Sequence, residues 1–126
     1  GHLVISRYFN AIACITGPDK ALYEVFPIRD FAKMYGIDSD PSAEHELKPT
    51  KAEFMAQLDG VFAATQKVLD TIDDSMLNDE PVLKHPAYKT KGEILNWNYM
   101  HESWHLGQIA MLRRVIGVPF GVVMPS

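Results

Sequence analysis

Apolar residues recur at helical spacing in three stretches of the chain, and no stretch alternates as a half-buried strand would. In the first, His2, Ile5, Phe9, Ile12 and Ala13 share one stripe, and Gly17-Pro18 supplies a stop. Leu3, Val4, Tyr8 and Ile15 make the remaining surface apolar as well, which predicts a helix buried on more than one side. The second stretch opens at Thr50-Lys51-Ala52-Glu53, a capping box in which hydroxyl and carboxylate satisfy orphan amides reciprocally. Phe54, Leu58, Val61, Phe62, Thr65, Val68, Leu69, Ile72 and Met76 then form a stripe of about seven turns. A second box, Thr90-Lys91-Gly92-Glu93, opens the third helix, which should end near Gly117-Val118-Pro119. Between these lie a mixed region, 18–49, with one short helix ending at Gly36, and a proline-punctuated loop around Pro81 and Pro86. The pattern predicts an all-α bundle.

Composition narrows the function classes. The 126 residues make one domain, 1–126, with an ordinary apolar fraction of 47% and charged fraction of 22%. The net charge is -4 and basic residues are dispersed, which argues against nucleic acid as a partner. No run is long and apolar enough to cross a membrane, and no signal peptide is visible. One cysteine, Cys14, excludes an intrachain disulfide framework and fits a reducing compartment; a cytoplasmic location is expected.

The chemistry concentrates in the third helix. His101-Glu102-Ser103-Trp104-His105 reads as H-E-x-x-H, the helical zinc motif of metalloproteases. At about 100° per residue, Asn98, His101, His105, Gln108 and Leu112 share a face, so a mostly polar stripe runs through an otherwise apolar helix. Burying that stripe without partners costs several kcal/mol, and a divalent ion bound by two imidazoles one turn apart would satisfy it. A protease of the usual order takes its third ligand from downstream. The residues after His105 contain no His, Glu, Asp or Cys, which sets the protease reading aside.

The stretch "HESWHLGQIAMLRRVIGVP" resembles the last helix of the DinB-like superfamily, where H-x-x-x-H is followed by Gly-Gln and a Leu-Arg-Arg ending. "GHLVISRYF" resembles that family's second helix, which carries an isolated histidine after a glycine. The resemblance implies a four-helix bundle in which three histidines hold a divalent metal, zinc or nickel, at an open site. Carried over by position, the ligands are His2, His101 and His105. It implies a thiol S-transferase or hydrolase acting on a small molecule, with a low-molecular-weight thiol as one partner. The family's first helix has no counterpart here: either the chain is truncated at its N-terminus or another element fills that groove.

Glu102 is the candidate catalytic base, but it lies roughly 100° around the helix from His101, and a solvated glutamate is the alternative. Asn98 and Gln108 could orient substrate or a ligand's second nitrogen, or bond across the bundle. Trp97, Tyr99 and Trp104 read as packing residues, and His45 and His85 as exposed loop residues. Cys14, about 18 Å along its helix from His2, is too far to share the metal. An uncovered groove would favour a homodimer, through the first helix and the Val-Pro-Phe-Gly-Val-Val tail. Three readings stay open: a metal enzyme, a metal-binding bundle without catalysis, and an oligomeric scaffold whose histidines hold nothing.

Overall fold

In the computed structural model, which describes residues 1–40, 42, 43, 45 and 48–118, the described residues form helices and no strand. The first helix, α1, is continuous from an α-helical start, His2–Arg7, through a π-helical stretch, Tyr8–Ala13, to a closing turn, Cys14–Thr16. Two short helices follow, α2 (Lys20–Val25) and α3 (Ile28–Tyr35). Then come α4 (Lys51–Leu69), a 3-10 turn (Asp74–Asn78) and α5 (Lys91–Val115).

α1 lies at the centre, and both long helices pack on it rather than on each other. Val4, Tyr8, Ile12, Ala13 and Ile15 are buried on it, with Phe26, Phe31, Val61, Val68 and Ile94 from the surrounding elements. The burial on several sides read from the sequence is therefore present. The π stretch, with about one extra residue per turn, was not foreseen. It breaks the assumed 100° step, and Tyr8, Asn10, Ala11, Ile12 and Ala13 within it are all buried because neighbouring elements surround α1 on several sides. α1 stops at Gly17, whose φ of 97° lies in the region that favours glycine.

Both capping boxes form as read: Thr50 Oγ1 accepts from Glu53 N and Thr90 Oγ1 from Glu93 N, each at 3.3 Å. Helix α4 is shorter than its stripe, ending at Leu69 instead of running on to Met76. The Thr71 hydroxyl donates to the Val68 carbonyl at 2.7 Å, and Asp73 caps the 3-10 turn by accepting from Ser75 N at 2.8 Å. Such local side-chain bonds compete with helix continuation. Helix α2 was also missed; its N-cap, Asp19, accepts from Ala21 N at 2.9 Å.

The two long helices are only partly covered. On α4, Met55, Phe62 and Leu69 are exposed. On α5 the first half packs on α1, whereas Leu106, Met111, Leu112, Val115 and Ile116 face outward. No fourth long helix stands over these faces among the described residues. The tail expected to join a dimer interface lies, from Pro119 onward, outside the described residues. No described helix is long and apolar enough to cross a membrane.

Candidate metal centre

The first turn of α1 and the middle of α5 meet at three imidazoles. His2 Nε2 stands 3.3 Å from His101 Nε2, and His105 Nε2 stands 3.0 Å from the same atom. The ligating atoms of His2, His101 and His105 all lie within 4.8 Å of one another. Nitrogens ~2.1 Å from a tetrahedral ion sit ~3.4 Å apart, so the spacing suits a shared metal.

The partners of the other ring nitrogens fix the tautomers of His2 and His105. His2 Nδ1 lies 2.6 Å from the Tyr35 carbonyl oxygen, which can only accept, so Nδ1 carries the proton. His105 Nδ1 donates to Gln108 Oε1 at 2.8 Å. His101 Nδ1 meets Ser6 Oγ at 3.1 Å, and Ser6 is itself held by Asn10 Nδ2 at 3.2 Å. With protons on Nδ1 of His2 and His105, their two Nε2 lone pairs converge on His101 Nε2. A divalent cation between the three Nε2 atoms would satisfy all of them at once. Burial lowers the His101 pKa, with His105 and His2 adding to the effect, so taking up a proton is a poor alternative to a metal. The residues present fit a divalent ion.

The surroundings hold the rings in place. Trp97 stacks on His101 with centroids 5.3 Å apart, and Trp104 on His105 at 6.3 Å. Gly1 precedes His2 because the Tyr35 ring occupies the space a Cβ would need. His2 and His101 also line a cavity of about 830 Å3, walled by Ile5, Phe9, Tyr88 and Trp97. That volume suits a small molecule.

Other sequence candidates fall in different places. The Glu102 carboxylate is engaged by Arg7, whose Nε donates to Oε1 at 2.7 Å and whose Nη2 bonds Oε2. Asn98 Nδ2 adds a bond to Oε1 at 3.2 Å, so Asn98 serves Glu102 and not a ligand ring. Gln108 holds His105, one of the two roles considered for it. Tyr99 and Trp104 are 73% and 62% exposed, so neither packs into the core as read. His85, expected to be exposed, is buried because Phe9 and Tyr88 close over its ring. His45 is half-buried and joins no ligand cluster among the described residues. Cys14 is wholly buried, and burial pushes its thiol up to about 11, which leaves it inert. Ser6, Tyr35 and Arg7 escaped the sequence reading; Arg7 and Ser6 sit one turn or so after His2, a spacing that could have drawn attention to them.

The profile of the DinB superfamily matches residues 1–109, a span that contains all three histidines. The chain belongs to the DinB superfamily. Comparison with curated proteins and with solved structures gives no match. The DinB assignment agrees with the all-helical fold and with the three-histidine cluster at the junction of α1 and α5.

Proposed function

We propose that this protein is a metal-dependent enzyme acting on a small molecule, with zinc or nickel held by His2, His101 and His105. The observation that carries the reading is the convergence of three Nε2 atoms whose rings are each anchored through Nδ1. An ion bound there supplies Lewis acidity, lowering the pKa of a thiol or of water enough to provide a nucleophile near neutral pH.

The chain's own residues do the positioning. Tyr35, Ser6 and Gln108 hold the three rings, and the cavity offers an apolar wall against which the reacting molecule can pack. Between the two reaction classes, transfer of a low-molecular-weight thiol is favoured over hydrolysis. Thiol or water bound at the ion could ionise with its proton lost to solvent. A hydrolytic route that also needs a protein base would require the Glu102 carboxylate to leave Arg7, and thiol transfer needs no such base. Turnover of an electrophilic substrate with a panel of small thiols, compared with ester hydrolysis, tests this. Thiol-dependent turnover that vanishes on chelation is the expected result. Metal-dependent ester cleavage without any thiol requirement would reverse the preference.

A further inference from the structure

His85 stands apart from the metal centre, yet its ring is held on three sides. Phe9 covers one side with centroids 5.7 Å apart, and Tyr88 packs on it at 5.0 Å. Its Nδ1 accepts from the backbone N–H groups of Ala87 and Tyr88, both at 3.1 Å. An Nδ1 that accepts two N–H bonds carries no proton, so the neutral ring has its hydrogen on Nε2. Burial lowers the pKa of His85, which keeps the ring neutral at neutral pH. The residue is only 8% exposed and lines the same cavity as His2 and His101. Among the described residues no protein acceptor meets Nε2. His85 lines the cavity, so an oxygen of a ligand there could accept from its Nε2–H.

The rest of the cavity says what kind of ligand. A ladder of rings joins His85 to the metal centre, since Tyr88 contacts Trp97 at 5.7 Å and Trp97 stacks on His101 at 5.3 Å. This wall suits an apolar or flat body. No Asp or Glu lines the cavity among the described residues, whereas Arg29 does. A cationic molecule therefore finds no carboxylate there, whereas an anionic one finds Arg29.

We infer that His85 is a substrate-positioning residue, its Nε2–H donating to a carboxylate or carbonyl oxygen of a small apolar molecule whose other end reaches the metal centre. The second half of that statement rests on the metal-enzyme reading above; the hydrogen bond itself needs only the cavity.

The test uses hydrocinnamate as probe, with propylbenzene as its match lacking oxygens, titrated into zinc-loaded and chelator-treated protein. Two variants separate donor from scaffold. His85→Phe keeps an aromatic ring between Phe9 and Tyr88. His85→Asn keeps an acceptor for the amides two and three residues on and removes the Nε2 donor. Both variants should bind hydrocinnamate about tenfold more weakly, the loss of one hydrogen bond to a charged group, and bind propylbenzene as the wild type does. In wild-type protein with isotope-labelled histidine, the His85 Nε2 resonance should move on adding hydrocinnamate. That spectrum decides the matter if either variant fails to fold. Wild-type affinity in His85→Asn, no binding by the wild type, or an unmoved Nε2 resonance would overturn the inference. Zinc content is measured alongside. Failure to hold zinc sinks the metal reading alone, because the chelator-treated protein still reports on His85.

Discussion

Arg7 on α1 and Glu102 on α5 grip each other through two parallel hydrogen bonds, with Arg7 Nε 2.7 Å from Glu102 Oε1. Both side chains are largely withdrawn from water, at 15% and 20% exposure. Glu102 directly follows His101, so the pair fixes the rotation of α5 that turns His101 toward His2. The Arg7 guanidinium also lies 4.7 Å from the Phe62 ring centroid, which ties α4 into the same contact.

Glu102→Gln should therefore act first on stability. It should lower the unfolding free energy by about 2 kcal/mol, the scale of a charge-assisted bond lost from a sheltered site, while metal content holds. Urea titration and metal analysis of the same preparation check this. An unchanged urea midpoint together with abolished turnover would instead assign Glu102 to the chemistry as a base.

Metal stoichiometry is the second expectation. Protein purified without chelators should carry about one divalent ion per chain, and His2→Ala, His101→Ala and His105→Ala should each lose most of it. Helix content should persist in all three, because apolar burial around α1 supplies most of the stability. Elemental analysis and circular dichroism measure the two quantities. Full metal in His2→Ala would mean that the ion sits elsewhere.

Much of this was legible in the sequence, for a local reason. Capping boxes and the His101–His105 spacing are set by residues within one helical turn, and Gly17 marks its own stop. His2 came from the resemblance at the chain's start, helped by its place on the stripe with Ile5 and Phe9. What escaped depends on contacts distant in sequence or on departures from ideal pitch. The π stretch at Tyr8–Ala13 invalidates angular counting, and the early end of α4 reflects Thr71 and Asp73 bonding locally. The burial of His85 needs Phe9, which is far away in the chain. Arg7–Glu102 spans 95 positions and has no local signature.

The pH dependence of stability has a definite sign. The pKa values of His85 and His101 both lie below the ordinary 6.5 in the fold, chiefly through burial. On acidification the unfolded chain takes up these protons before the folded one does, so it binds more protons and gains ground. Metal-free protein should therefore lose stability as pH falls below 6.5, with the loss complete once pH passes below the lowered folded values. Above neutral pH these two groups contribute no slope. Urea midpoints between about pH 7.5 and about pH 5 follow the effect. A midpoint that rises on the acid side would contradict it.

Self-association should follow from the uncovered half of α5. Leu112 is 64% exposed and Ile116 71%, with Val115 between them at 77%. Contiguous apolar surface of this kind usually marks an interface. Light scattering should show a dimer at high concentration, and Leu112→Glu with Ile116→Lys should return it to monomer. A monodisperse monomer of the unaltered chain would count against the idea.

Two of the clustered histidines lie far apart in the described chain: His2 and His101 stand 99 positions apart. An ion held by both would act as a detachable cross-link, closing one large loop and steadying the junction where α1 receives α5. The protein has a single cysteine and cannot close such a loop with sulfur. Metal supply would then govern durability as well as chemistry, because free energy of binding to a site absent from the unfolded chain is free energy of folding. Starved of the ion, the bundle should keep its helices and loosen first at the seam between α1 and α5.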